Sequence, residues 1–396
     1  MRRLCELVPE KSHNNKRKMT NPFTDNGDCM KQFDLEAPGV KLILEKNVLA
    51  VLSDSPLNTI SSAFHNGGGI KKTNAILNVE VLKSYSDRTL HDEPEAYIME
   101  SSKIIGLNQS FIGMVTAAAV ENFSMVSKRE DDIGVNVIAT AADNEGHTCN
   151  HAESAGEKIE VKVIEGTINI IAVVDGNPTE SCLAGLIITI TEAKMAALRE
   201  LDIRSRYSGD QATGTITDSV VVAETNRGTP LVYGGPASKL GQLVGYCTKE
   251  AVKEAVMKAS ECMPSRSLIS RLRERNLSIE KLASELSKSE TLNLDNKTLE
   301  FYIERTLSTK PEAAWILMAA AKMDEDVKNN LIPLEFGRIE AASRKFGEFV
   351  LYSKMQSSAK SDVSENEEVN LSPFLKQVLV NMVKEARNES KTENLK

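Results

Sequence analysis

The chain has 396 residues, a formal net charge of −8 and 41% hydrophobic residues. At roughly 100–200 residues per domain, this is enough for two domains with a real core, and it excludes wholesale disorder. The acidic balance argues against a nucleic-acid binder, which needs clustered Lys and Arg, and the longest apolar stretch, Cys182 to Thr191, falls short of the ~18 residues of a membrane span.

In chain order, residues 1–34 are polar and rich in Asn and Lys, and are expected to form a mobile extension, with Met19 and Met30 as rival starts. No apolar stretch of signal-peptide length follows Met1, because Glu6 interrupts it. Val40–Leu52 alternates as a strand pair around Glu45-Lys46-Asn47, and Ala75–Leu82 alternates again. Val135–Thr140 and Ile168–Val174 read as short buried strands, the second ending at the turn Asp175-Gly176-Asn177. Pro178–Leu201 is predicted as a helix with proline in its opening turn, Ser219–Ala223 as a strand, and Ser238–Ala259 as a helix with Ser238 as N-cap. Several strands are joined too tightly for parallel crossovers, which need about a dozen residues. The expected class is therefore α+β, with a mixed or largely antiparallel sheet covered by helices.

Twenty of the 22 glycines precede residue 262. Beyond it the sequence is rich in good helix formers, which sets a boundary between an α/β-containing domain at 35–262 and a helical domain at 266–352, with Pro264 between them. Residues 353–370 read as a Ser/Lys/Glu-rich linker, and 371–388 as one amphipathic C-terminal helix opened by Ser372-Pro373-Phe374. The lone Trp315 is assigned to core packing. The six cysteines are scattered without a CxxC, which suits reduced thiols in a cytoplasm.

The helix after Asn177 carries the first chemical signal. Its apolar residues run nearly all round, yet Lys194 lies amid the Leu183, Leu186, Ile187, Ile190, Ala197 face, and Glu192 lies opposite, beside Ile188 and Met195. Both charges are expected to be buried, either as an acid and a base lining a site or in structural ion pairs to other segments. They cannot pair with each other, because positions i and i+2 point apart. The second signal is Ala212-Thr-Gly-Thr-Ile-Thr-Asp-Ser219. Thr213, Thr215 and Thr217 at spacing two would share one strand face, Gly214 would permit a positive-φ turn whose amides cradle an oxyanion or phosphate, and Asp218 could orient a hydroxyl or water; the other reading is a turn held by local Thr and Asp bonds. Asn66-Gly67-Gly68-Gly69 lets backbone approach a ligand, and His65 beside it is a candidate acid or base. Asn169, inside a buried strand, needs partners. His147, Cys149 and His151 are metal-ligand types, but crowded at i, i+2, i+4 without a second pair, and no metal site is assigned.

Taken in order, Asn66-Gly67-Gly68, Ile112-Gly-Met-Val-Thr116, Gly166-Thr-Ile-Asn169-Ile, Thr191-Glu-Ala-Lys194-Met-Ala-Ala-Leu198, Ala212-Thr-Gly-Thr-Ile-Thr-Asp218 and Gly234-Gly-Pro-Ala-Ser-Lys-Leu-Gly241 resemble the adenosylcobinamide amidohydrolase (CbiZ) family, over about residues 40–260. The resemblance implies hydrolysis of the amide joining aminopropanol to the corrin ring of adenosylcobinamide, giving adenosylcobyric acid for cobalamin biosynthesis by corrinoid salvage in the cytoplasm. One departure is Thr140-Ala141-Ala142-Asp143-Asn144, which lacks the glycine expected after Thr-Ala and puts corrinoid preference in question. The helical domain is similar, more distantly, to archaeal α-ribazole phosphatases; Phe374-Leu-Lys376-Gln377 stands where paired aspartates are expected, which implies a non-catalytic copy.

For this reaction Glu192 is the expected general base with Asp218 assisting, Thr215 or its neighbouring amides hold the oxyanion and Lys194 stabilises charge. Asn66, Gly67, Gly68, Thr116, Asn169, Thr213 and Gly214 are expected to contact the corrinoid. The nucleophile is open between a side chain and a water. No resident cofactor is required, metal dependence is open, and the partner is the small-molecule corrinoid, without nucleic acid or membrane; a homo-oligomer is compatible. A corrinoid-binding protein without catalysis is the alternative function.

Overall fold

The computed structural model describes residues 30–81, 94–141, 166–259, 266–288, 292–331 and 372–393. The predicted linker, Pro264 and the His147–His151 segment lie outside them. Nine strands form one mixed sheet: β1 (Lys31–Asp34), β2 (Val40–Glu45), β3 (Val48–Ser61), β4 (Gly68–Glu80), β5 (Ile112–Thr116), β6 (Ser124–Glu130), β7 (Ile133–Ala141), β8 (Ile168–Asp175) and, after the two-residue strand β9 (Asn177–Pro178), β10 (Ser219–Glu224). β9 pairs separately with β11 (Pro230–Leu231). β1 belongs to the sheet, so the predicted mobile extension does not reach residue 34.

β3 is the pivot. It is 14 residues long, running nine residues past the predicted end of the hairpin at Leu52, and it has different partners along its two halves. Val48–Ser53 pairs with β2, whereas Asn58–Ser61 pairs with β10, and β4 follows its other side throughout, across register shifts between Leu52 and Leu57 and between Thr59 and Ser61. From β10 the sheet continues through β8, β7 and β6; β10 and β8 are parallel, with Ser219 opposite Asn169, and β8 and β7 are antiparallel, with Asn169 opposite Thr140. The shifts curl the sheet, so Leu42, Leu49, Val51 and Met114 pack across from Ile138, Ile171, Val173 and Val221 in one dry interior.

The opposite face of β7, β8 and β10 is covered by α2 (Glu180–Glu200) and α3 (Lys239–Ala259), while α1 (Pro94–Ser102) covers β4 and β5. The mixed sheet with helical cover is the expected α+β class. α2 begins at Thr179, whose hydroxyl accepts from Cys182 N, and not at Pro178, which sits in β9. The Ser238 hydroxyl accepts from Gly241 N and opens α3 as predicted. α2 is apolar and long enough to cross a bilayer by composition alone; here it lies beside α3 on the sheet, its inner face buried and its outer face exposed.

Beyond residue 265, α4 (Leu268–Glu274), α5 (Ile279–Leu286), α6 (Asn296–Thr309), α7 (Pro311–Lys328) and α8 (Pro373–Glu393) share a second core. Phe374, Leu375, Val378 and Leu379 of α8 lie in it, so the C-terminal helix is part of this bundle. Asp324 of α7 accepts from Phe374 N and Leu375 N at the start of α8. Trp315 is 65% exposed, which corrects its assignment to the core: Ala313, Ala314 and Leu317 are buried there instead, and the indole points away from them.

The two cores meet where α2 ends. Asp202 takes a left-handed φ of 55° and closes the helix, with Ile203 N donating to Leu198 O and Asp202 N to Arg199 O. Its carboxylate receives Arg204 from its own segment and Arg271 and Arg275 from the helical bundle. Burial pushes this carboxyl up, but hydrogen bonds and charge from Arg271 and Arg275 outweigh it and hold Asp202 at about 2. A carboxyl lowered on folding stabilises above its ordinary value of 3.8 and loses that contribution as pH falls toward 2. Denaturant titrations between about pH 5 and pH 2 should show a loss of ~2 kcal/mol from this group. Asp202→Asn should lower stability at neutral pH and flatten that acid limb.

Candidate active site

The parallel register of β8 and β10 brings their first residues together at one end of the sheet, and this is where the polar residues gather. Asp218, immediately before β10, uses both oxygens. Oδ1 accepts from Ile168 N (2.8 Å) and from the Thr215 hydroxyl (2.5 Å); Oδ2 accepts from Lys194 Nζ (2.5 Å) and Thr215 N (3.1 Å). The Lys194 and Asp218 side chains are 9% and 12% exposed. Lys194 therefore has a partner on another segment, and α2, the 212–218 loop and the start of β8 are tied at one carboxylate. Ion pairs this far from water hold when both charges are fully bonded, and breaking one is costly.

Gly214 is fixed by space. A Cβ there would lie 2.3 Å from Asp218 Oδ2 and 2.7 Å from Lys194 Nζ. It is not among the described positive-φ glycines, so the predicted left-handed turn is corrected: the small residue makes room for the ion pair. The three threonines do not share a strand face either, because residues 212–218 form an irregular loop. Thr215 turns to Asp218, whereas the Thr217 hydroxyl contacts Thr167 Oγ1 (2.5 Å) and donates to Gly166 O (3.1 Å). Thr213, Gly214, Thr215, Thr217 and Asp218 are all half-buried, within reach of a ligand. Ile216, between two of the threonines, is 69% exposed.

Glu192 is not part of this cluster. It is solvent-exposed, as are Ile188 and Met195. The expectation that both charges of α2 are buried is thus corrected: α2 packs on one side, and the outer face retains apolar residues in water. Apolar residues all round a helix did not distinguish one covered face from two.

Around the site runs a second polar network. Asn169 donates to Val115 O (2.8 Å) and Asn78 Oδ1 (2.7 Å), and Asn78 in turn donates to the Thr140 hydroxyl (2.8 Å). Both hydrogens of the Asn169 amide are spent, and its buried Oδ1 has no protein partner. Thr116 is 1% exposed and accepts from Ala118 N, closing the turn after β5. The β3–β4 connection folds onto the same edge of β5: His65 and Gly113 exchange backbone bonds, and Asn66 Nδ2 donates to Phe111 O (2.9 Å). Asn66 has φ 55°, Gly68 has φ 101°, and Gly67 lies so near Ala63 O that a Cβ would be 2.0 Å from it. Asn66 also donates to His65 Nε2 (3.0 Å), which assigns the imidazole proton to Nδ1, 4.0 Å from Glu95 Oε1. Ser62 links this connection back to β10 through Val220 N (3.0 Å). Asn66, Asn169 and Asp218 are thus joined by one chain of contacts along β5, β8 and β10.

Two residues escaped the sequence reading. Asn78 and Thr167 occupy positions inside or beside apolar strands, where a lone polar side chain is a signal that Asn169 gave and these did not stand out enough to give. A cleft of about 350 Å³ lies at the other end of β10, lined by Asn58, Lys72, Thr179, Glu224 and Asn226 among others. Burial raises the Glu224 carboxyl, opposed by bonds from Asn58 Nδ2 and Asn226 N. Six strand residues, roughly 20 Å, separate it from Asp218. Its two oxygens are already matched, whereas the Asp218 cluster presents a hydroxyl on a carboxylate, the arrangement that activates a nucleophile. Among the described residues no group of three or more His, Cys, Asp or Glu is placed to hold a metal.

A half-buried threonine–carboxylate–lysine cluster at a strand edge of an α+β fold is a candidate active site. The adenosylcobinamide amidohydrolase family model matches residues 36–264, and the chain belongs to that family. It is 31% identical over 197 residues to an adenosylcobinamide amidohydrolase from Methanosarcina mazei, covering 48% of this chain and 82% of that one. It is 32% identical over 169 residues to the uncharacterized protein MJ1613 of Methanocaldococcus jannaschii, covering 39% of this chain and 66% of the relative, just under two thirds of its length. Among solved structures, a β-aminopeptidase from Burkholderia sp. (TM-score 0.30, 13% identity, 59% of this chain and 85% of that one) and the PH0078 protein from Pyrococcus horikoshii (TM-score 0.28, 14% identity, 54% and 76%) are distant matches.

Lys194→Met should leave the Asp218 carboxylate without its counter-charge and cost ~3 kcal/mol in stability. The double variant Lys194→Met/Asp218→Asn should recover more than ~1 kcal/mol of that loss, read from a double-mutant cycle in denaturant.

Proposed function

We propose that the protein hydrolyses the amide between aminopropanol and the corrin ring of adenosylcobinamide, giving adenosylcobyric acid and free aminopropanol. Family membership supports the substrate class, and the observation that carries the chemistry is the 2.5 Å bond from the Thr215 hydroxyl to Asp218 Oδ1. An amide has a poor electrophilic carbon and a poor leaving group, so its hydrolysis needs a nucleophile relieved of its proton and a proton for the departing nitrogen. Asp218 replaces the exposed Glu192 as the base. It accepts a proton from the attacking oxygen, either the Thr215 hydroxyl or a water bonded in its place. Lys194 balances the charge on Asp218 and keeps its Oδ2 occupied, leaving Oδ1 to serve the nucleophile. The amine then leaves with a proton and the carbonyl carbon gains a hydroxyl. With Thr215 as nucleophile, an ester forms first and water cleaves it.

Ile216 offers apolar surface beside this centre, suited to a macrocycle edge. Asn66 has both amide hydrogens engaged, so its contact with corrin side-chain amides runs through its carbonyl oxygen. The backbone of Gly67 and Gly68 presents further groups. Thr116 and Asn169 brace the wall and do not contact the ligand directly. On this reading the reaction would serve corrinoid salvage in a cytoplasm and would need no resident cofactor.

Incubation with adenosylcobinamide followed by mass spectrometry tests this reading: adenosylcobyric acid and aminopropanol should accumulate together. Asp218→Asn and Thr215→Val should lower turnover at least ~10²-fold, and Glu192→Gln should leave it within about twofold. Tight corrinoid binding without product would make the protein a binding module instead.

A further inference from the structure

The two arms of the candidate site leave from the two ends of one bridge. Lys194 lies on α2, and Gly214, Thr215 and Asp218 lie on the loop before β10; residues 201–211 connect them. That bridge is folded on itself, with Ala212 N donating to Ile203 O (3.1 Å), Ser205 N to Asp210 O (2.8 Å) and Gln211 Nε2 to Ile203 O (2.7 Å). Its outer side is held by the helical bundle at five points. Arg266 donates to Leu201 O (3.2 and 3.1 Å) and Asp202 O (3.0 Å), so it covers carbonyls at the end of α2. Arg271 and Arg275 hold the Asp202 carboxylate (2.7 and 2.8 Å). Glu325 of α7 receives Arg204 (2.9 Å). Asn276 donates to Tyr207 O (3.2 Å). Gly209, at φ 76°, lies against the Arg275 backbone, where a Cβ would meet the carbonyl carbon at 2.8 Å.

These contacts are not a loose surface match. The Arg266 and Arg275 side chains are 7% and 8% exposed, and Arg266 is itself fixed by a 2.8 Å ion pair to Glu274. Buried guanidinium groups that spend their donors on another segment's carbonyls and carboxylate fix its position in a way that water-exposed ion pairs do not.

We propose that the helical bundle is a clamp on the candidate site, and that Arg266 and Arg275 are positioning residues for the reaction. They hold the 201–211 bridge so that Lys194 and the Thr215–Asp218 pair stay in register, although neither touches substrate. The catalytic part of this inference rests on the proposed amide hydrolysis; the mechanical part does not. The clamp acts on the groups that carry out the chemistry, whereas Asn66, Gly67 and Gly68 stand on a different edge. Loosening it should therefore lower kcat far more than it raises KM, to which Ile216 on the same loop contributes only part.

The test uses the full chain with Arg275→Met, Arg275→Lys and Gly209→Ala, each checked for an intact thermal transition. The glycine variant pushes the bridge off the bundle without removing a charge, so it stands in if Arg275→Met does not fold. Amide hydrogen exchange should show faster exchange across 203–218 in Arg275→Met and Gly209→Ala, with α6 and β7 unchanged. Turnover of adenosylcobinamide should fall about tenfold or more with KM within twofold, and Arg275→Lys should recover part of it. Unchanged exchange across 203–218 overturns the clamp, and faster exchange with unchanged kcat overturns the positioning role of Arg266 and Arg275. If the parent protein makes no product, the amide-hydrolysis reading and the catalytic role fall together, and the exchange measurement alone decides whether the bundle holds the bridge.

Discussion

A single carboxylate organises this molecule. Asp218 receives an ammonium, a hydroxyl and two backbone N–H groups, from α2, from its own loop and from the start of β8. None of those donors could be given up cheaply at that depth, because an unpaired charge in the interior costs several kcal/mol. The surrounding sequence follows from it. Position 214 must be glycine to leave room, α2 must present Lys194 inward, and β8 and β10 must run parallel for Ile168 N to reach the same group. The candidate site is a by-product of satisfying one negative charge with a hydroxyl among its donors.

The curled sheet supplies the walls. One long strand changes partners midway, and the resulting bend carries the β3–β4 connection across to β5, where Asn66, His65 and Asn169 meet successive backbone groups of the same strand. A flat sheet of the same strands would leave β5 with an open edge, which proteins normally cover. Covering it with polar side chains, two of them asparagines with both amide hydrogens spent, closes the edge and rigidifies the wall next to Asp218.

Much of this was legible beforehand, and the failures share a cause. The alternation of Val40–Leu52 and the apolar runs of β7, β8 and β10 mark the sheet, and the glycine distribution marks the helical bundle, because backbone demands are written locally. Lys194 stood out as a charge on an apolar helix face, and Thr215 and Asp218 through the run of alternate threonines with a glycine before a strand. What was missed depends on tertiary covering. Glu192 and Trp315 have the neighbours of core residues in sequence, yet both face water, since which side of a helix is covered is decided by segments far along the chain. The bulges that let β3 serve two neighbours leave no periodic trace, and neither does Asp202 in the left-handed position usually given to glycine.

The bond between Asn58 and Glu224 joins β3 to β10 across 166 positions of sequence. Contacts of such separation form late, after the entropy of closing a large loop has been met. During synthesis, the early strands must therefore wait with one flank of β3 unpaired until β10 has left the ribosome, and the bundle that grips residues 201–211 arrives later still. An exposed strand flank in a half-made chain invites pairing with a neighbour. The same architecture that assembles this centre from distant segments thus leaves one flank of β3 waiting for β10 until most of the first domain has been made.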